Sequence, residues 1–213
     1  MTEQGFIQRI DGDCARIVVP LSNPLLLDKQ NIKKCEVRFD DGRTISSDQR
    51  KKAYAIIGDI AEWSGHTPPE FEKDILKNEY IKRTGSEYFS LSDCTVTTAR
   101  EFINFLIDFC FENNIGTIDT LLNHTDDISY YLYTCIANRK CCVCNAKAEI
   151  HHCEGSRVGM GFNRNDINNL GRSAIALCRK HHNQAHDSEK EFFKKYHVYG
   201  TKLDEYLLKR VNL

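Results

Sequence analysis

The hydrophobic period of the chain changes at Ser46. Before it, short β-branched runs alternate with turn residues. Phe6, Ile7 and Ile10 lead to Gly12, Ala15 to Val19 close at Pro20, and Cys35-Glu-Val-Arg-Phe39 alternates up to the turn Asp40-Asp-Gly-Arg43. With a further turn at Ser22-Asn-Pro24, residues 1–45 read as a small β element of three strands.

From Ser46 onward apolar positions recur at helical spacing. Ser47 is placed to cap a helix carrying Ala53, Ile56, Ile57, Ile60 and Trp63, which ends at Gly65. Pro68 and Pro69 open a second, with Phe71, Ile75, Leu76 and Tyr80 on one side and a stop near Gly85. Thr97 or Thr98 caps a third. Its Phe102, Ile103, Phe105, Leu106, Phe109 and Cys110 are apolar nearly all round, which predicts a central position. Asp126 or Asp127 starts a fourth through Tyr130, Tyr131, Tyr133 and Ile136. Near the C-terminus, Ser188 caps a helix with Phe192, Phe193 and Tyr196, Gly200 breaks it, and Leu203 to Leu208 form a last short helix. The expected class is α+β: residues 1–45 a β element, 46–135 a helical domain, and 136–213 a third domain of different character.

Composition sharpens that division. The chain has 213 residues, with 29 Lys+Arg against 30 Asp+Glu and a net charge of −1. Residues 136–213 nevertheless carry +6, which leaves −7 for residues 1–135. Only the C-terminal third therefore has the charge to attract a polyanion. Arg50-Lys51-Lys52 reads as a solvated helix face. No apolar run approaches the ~18 residues needed to cross a bilayer, and Met1 to Asp13 lacks the pattern of a secretory leader. A cytoplasmic location is expected.

Ten cysteines and eight histidines add a stronger signal, because ten of these eighteen lie between Cys141 and His186. Clustered cysteines in such a chain bind metal more often than they pair. Cys14, Cys35, Cys94, Cys110 and Cys135, outside the cluster, sit among apolar neighbours and read as small buried hydrophobes. Cys141-Cys142-Val143-Cys144 contains a Cys-x2-Cys pair and Cys178-Arg-Lys-His181 a Cys-x2-His pair. Two such knuckles supply the four donors of a structural Zn²⁺ site, assigned to Cys141, Cys144, Cys178 and His181, with Cys142 as the ambiguity of register. His151, His152, His182 and His186 are then surplus to a closed site. Adjacent residues on an extended strand face opposite sides, so His151 and His152 are expected to do different work.

The order Cys-x2-Cys, Glu149-Ile-His-His152, a Gly/Arg/Asn-rich stretch ending Asn168-Asn-Leu170, and Leu177-Cys-Arg-Lys-His-His182 resembles the zinc-supported HNH endonuclease motif. It is similar in particular to small HNH proteins encoded in phage recombination regions, where His-His, Gly-x-Arg-Val-Gly and Leu-Cys-x2-His-His recur. The resemblance covers about residues 136–200. It implies a ββα-metal fold clasping one catalytic cation, Mg²⁺ or Mn²⁺, and hydrolysis of DNA phosphodiester bonds. By position, His151 and His182 resemble the metal ligands and His152 the general base. Asn169 resembles the asparagine that fixes the loop, with Asn163, Asn165 and Asn168 as alternatives in register. Arg157, Arg164 and Arg172 are candidates to hold flanking phosphates. His186 either completes the metal shell or caps a helix; Cys153 is an extra ligand or a packed thiol; Asp166 is a further candidate ligand.

The middle of the chain, from Gly42-Arg43 to about Asn114, faintly resembles the phage NinB-type recombination mediators, which are linked to single-stranded DNA. That resemblance implies a DNA-presenting domain, with a homodimer as the expected assembly. Two functions follow: a metal-dependent HNH endonuclease acting in phage recombination or replication, or a zinc-stabilised DNA-binding mediator that cuts nothing.

Overall fold

The structure is a computed structural model and describes residues 5–21, 37, 42–65, 68–156 and 168–213. The chain divides into two compact units, Met1–Phe39 and Asp40–Leu213. In the first, β1 (Phe6–Asp11) pairs antiparallel with β2 (Cys14–Val18) across a two-residue turn in which Gly12 takes φ +56°. The strands fall where the β-branched runs predict them; the expected third strand, at Cys35 to Phe39, lies outside the described residues apart from Val37. Cys14 is exposed, against the expectation of burial, because it sits beside the turn of a hairpin whose side chains, Phe6 and Ile10 among them, are themselves solvent-facing.

The second unit starts with helices whose ends follow from capping chemistry. Helix α1 (Ser47–Ser64) is capped by Ser46, not Ser47. The Ser46 hydroxyl accepts from Gln49 N at 3.0 Å and Gln49 Oε1 accepts from Ser46 N at 3.1 Å, a reciprocal box. Gly65, at φ +75°, ends it. Helix α2 (Pro69–Thr84) has proline at its first position and stops at Gly85. Helix α3 (Val96–Glu112) begins two residues earlier than the threonines at 97 and 98 suggest, because Thr95 supplies the cap to Thr98 N. A short α4 (Leu121–His124), which hydrophobic periodicity does not reveal, precedes α5 (Ile128–Ala137), capped by Asp127.

Helix α3 is central, as its all-round apolarity predicts: Phe102, Ile103, Leu106, Ile107 and Cys110 have no exposed surface. Around Phe102, the rings of Tyr80, Phe89 and Phe105 meet at centroid distances of 5.2–6.0 Å. Ala53, Ile56, Ile57 and Ile60 of α1 complete this layer. Two expectations fail here. Trp63 projects from the last turn of α1 and is 54% exposed. In α2 the buried line is Leu76–Tyr80, and the i, i+4 pair Phe71–Ile75, one position back and so rotated about 100°, faces solvent. Cys94, Cys110 and Cys135 are buried as expected.

The C-terminal part adds a three-stranded antiparallel sheet. Strand β4 (Ser173–Leu177) lies between β3 (Glu149–His152) and β5 (Thr201–Lys202). Helices α6 (Arg179–Asp187), α7 (Glu189–Tyr196) and α8 (Glu205–Val211) follow or flank it. One continuous set of buried side chains runs from Ile45 through α3 and β4 to Val211. Among the described residues no helix is long and apolar enough to cross a membrane.

Burial of Phe102 under three aromatic neighbours makes it the residue on which this layer is most sensitive. Phe102→Ala is expected to cost about 3–5 kcal/mol, read as a lower urea midpoint with an unchanged slope in equilibrium unfolding.

Candidate metal centres and active site

Two clusters of metal-ligating side chains form along two adjacent faces of α6. The first gathers Cys141, Cys144, Cys178 and His181, with one donor atom from each lying within 4.8 Å of every other. Cys144 Sγ is 3.7 Å from Cys178 Sγ, and His181 Nδ1 is 3.3 Å from the sulfurs of both Cys141 and Cys178. With Zn–S bonds of about 2.3 Å, tetrahedral geometry sets ligand sulfurs about 3.8 Å apart, so these four donors fit a structural zinc ion.

Backbone hydrogen bonds frame this arrangement. The Cys141 knuckle closes through Cys141 N→Ala146 O (2.7 Å) and Asn145 N→Cys141 O (2.8 Å), with Asn145 at φ +57°. Cys142 N→Ala176 O (3.0 Å) pins the knuckle to β4, which uses Cys142 as backbone and buries its thiol away from the cluster. Cys178 is the N-cap of α6. Burial works against its ionisation, but backbone N–H groups of His181 and Lys180 and the neighbouring thiols together hold its thiol below the usual range. Cys141 goes the other way: burial pushes it up to about 12.

The second cluster is His151, His182 and His186. Their ring centroids are 4.7–4.9 Å apart. Strand alternation directs Glu149 and His151 to the α6 side of β3 and turns His152 the other way. His182 and His186, one helical turn apart, meet them from α6, while His181, about 100° around the helix, serves the first cluster. His151 is 1% exposed, and its Nε2 lies 3.0 Å from Glu189 Oε2. Burial lowers the pKa of His151, with the charge of His182 adding and Glu189 opposing, and burial lowers that of His182, with the charge of His186 adding and Glu149 opposing; both net shifts favour the neutral imidazole. Nδ1 of His182 is buried and 3.2 Å from Glu149 Oε2, yet outside hydrogen-bond alignment; Glu149 also pairs with Arg179 at 3.0 Å. Three imidazoles converging on one space form a donor set that suits a divalent transition ion.

His152 faces away from both clusters. Its Nε2 is 3.2 Å from Oδ1 of Asn169, a buried residue on the loop before β4. An amide oxygen only accepts, so Nε2 carries the proton and Nδ1 keeps the lone pair. Asn168, one of the alternatives in register, instead accepts from Leu170 N at 2.9 Å. Arg172 braces the same loop, donating to Asn168 O and Ser156 O at 2.9 Å each. Arg157, Arg164, Asn163, Asn165 and Asp166 lie outside the described residues.

Cys153 belongs to neither cluster. It is buried under Gly200, where an added Cβ would come within 2.4 Å of its sulfur and 2.2 Å of Ser173 Oγ. His186, left open between two roles by the sequence, joins the His151 cluster; its i, i+4 spacing from His182 is the signal for it. Glu189 carries no such signal, since it lies 38 positions from its partner.

Replacing one thiol tests the first cluster. Cys144→Ser is expected to lose about one Zn²⁺ per chain by elemental analysis and much of the ordered structure of residues 136–200. Cys142→Ala, outside the donor set, is expected to retain the ion.

Among families of known proteins, the chain matches the one described as "Putative HNHc nuclease" over residues 19–213. No match is found among curated proteins or solved structures. The matched span takes in the helical layer as well as both histidine- and cysteine-bearing clusters. The chain belongs to the HNHc nuclease family.

Proposed function

We propose that the protein is a metal-dependent endonuclease that hydrolyses DNA phosphodiester bonds, with residues 136–213 as its nuclease module. The observation that carries this reading is the gathering of His151, His182 and His186 beside the strand that also presents His152. A zinc-stabilised binding protein needs only the Cys141–His181 set; three further imidazoles and an asparagine-oriented histidine are the equipment of a reaction.

In this reading Cys141, Cys144, Cys178 and His181 hold structural zinc, while His151, His182 and His186 hold the catalytic ion. A divalent cation there supplies charge stabilisation at the scissile phosphate and the leaving oxygen. Zn²⁺, Ni²⁺ or Mn²⁺ suits an all-nitrogen set better than Mg²⁺, so of the two ions expected from the sequence Mn²⁺ is favoured. His152 Nδ1 takes a proton from the attacking water as the water oxygen bonds to phosphorus and the bond to the 3′ oxygen breaks. Asn169 holds the opposite nitrogen, which keeps the accepting lone pair on Nδ1 and the ring in one orientation. Arg172 fixes the loop that carries Asn169; Arg157 and Arg164 are the candidates for contact with flanking phosphates. The resemblance to phage recombination-region proteins supports a role in recombination or replication within a bacterial host cytoplasm. The faint NinB-type pattern supports residues 46–135 as the part that presents DNA, as a homodimer.

Nicking of supercoiled plasmid, with Mn²⁺, Ni²⁺, Zn²⁺ and Mg²⁺ compared, tests this directly. Wild type is expected to cut only with a divalent ion, and His152→Ala to cut about 10²–10⁴-fold more slowly while binding DNA as before. DNA binding without metal-dependent cutting by wild type returns the protein to the mediator class, and full activity in His152→Ala removes that residue as the base.

A further inference from the structure

Glu189 is 7% exposed, yet it is a carboxylate, and a buried carboxylate requires partners that justify its position. Two are on either side of it. Oε2 lies 3.0 Å from His151 Nε2, and Oε1 and Oε2 accept from Glu154 N at 2.9 and 3.1 Å. Glu189 is also the first residue of α7, just after the Ser188 cap, where the helix dipole favours a negative charge. Three pieces of the fold therefore meet on one side chain: the buried histidine of β3, the chain two residues beyond His152, and the start of α7.

We propose that Glu189 is a positioning residue for the three-histidine site, acting through His151. A carboxylate can only accept, so it takes the Nε2 proton of His151 and leaves Nδ1 as the one lone-pair nitrogen of that ring. An imidazole free in solution divides its proton between two nitrogens and rotates about two torsions. The Glu189 contact removes both freedoms and holds the ring edge-on to His182 and His186, 4.9 Å from each. The bond to Glu154 N ties the end of β3 to the same carboxylate, so the metal ligand and the neighbouring base His152 move as one piece. This inference rests on the reading that His151, His182 and His186 hold a divalent ion, and it adds the group that orients one of them.

The test uses full-length protein with its Cys141–His181 site filled with Zn²⁺, titrated calorimetrically with Ni²⁺. Glu189→Ala is expected to bind Ni²⁺ about 10–100-fold more weakly than wild type. Glu189→Gln, which keeps an acceptor oxygen at the Oε2 position, is expected to recover most of that loss. Long-range ¹H–¹⁵N correlation spectra, taken before Ni²⁺ is added, report the His151 tautomer: Nε2–H in wild type and Glu189→Gln, a mixture in Glu189→Ala. Zinc content and melting temperature confirm that the variants are folded; if Glu189→Ala is not, the Gln variant and the tautomer of wild type decide. Wild-type affinity and tautomer in a folded Glu189→Ala would overturn the proposal while leaving the three-histidine site intact. Equal weakening in Gln and Ala variants would overturn it too, since the charge or direct ligation would then matter and the hydrogen bond would not. Unchanged Ni²⁺ binding in His151→Ala would instead remove the three-histidine reading itself.

Discussion

The rotation of α6 about its own axis is the constraint from which both metal clusters follow. Its first turn is held by Cys178 and His181, whose donors converge on the Cys141–Cys144 knuckle. With that turn fixed, the 3.6-residue period leaves no choice about where His182 and His186 point. They arrive opposite β3, where alternation has placed His151. The packing of Cys178 and His181 against the knuckle thus sets the aim of side chains up to eight residues later. It does so by geometry alone, without touching them.

Burial then decides what those side chains are. His151, His152, His181 and His182 all have their pKa lowered chiefly by loss of hydration. A neutral imidazole is a ligand or a proton acceptor, and a charged one is neither. The carboxylates alongside act against that trend: Glu189 on His151 and Glu149 on His182 favour the charged form. Desolvation is the larger influence at both residues. The site keeps its nitrogens available through its hydrophobic surroundings, with the acidic neighbours left to govern direction.

Much of this was legible in one dimension because it depends on short spacings. Cys-x2-Cys and Cys-x2-His lie within single turns, so the sequence distance and the distance in space are nearly the same thing. The order of motifs points to Asn169 and His182, which the structure places beside His152 and His151, and His186 lies one helical turn from His182. What could not be read depends on separation. Glu189 is 38 positions from His151, and nothing in its own neighbourhood marks a helix-start glutamate as special. Errors in the helical region had local causes. Thr95, Thr97 and Thr98 are chemically equivalent caps, and only the structure selects the first. Phe71 and Trp63 fit an apolar stripe, but the partner surface stops short of them. Cys14 looked buried because its neighbours are apolar, although a two-stranded hairpin offers nothing to bury it in.

The first cysteine knuckle draws its support from earlier in the chain. Tyr131 Oη donates to Cys142 O at 3.0 Å and accepts from Asn145 Nδ2 at 2.7 Å, while Asn145 Oδ1 accepts from Leu121 N at 2.8 Å and Thr120 Oγ1 donates to Val143 O at 2.8 Å. Asn145 is the residue whose left-handed backbone closes the knuckle. Its side chain is thus satisfied mainly by Thr120, Leu121 and Tyr131, with one longer bond to Cys141 O at 3.4 Å. Grafting of the ligand motifs onto another protein would leave this amide and the carbonyls of Cys142 and Val143 stranded. As a structural unit, the cysteine-bearing knuckle of this chain begins at Thr120, well before Cys141.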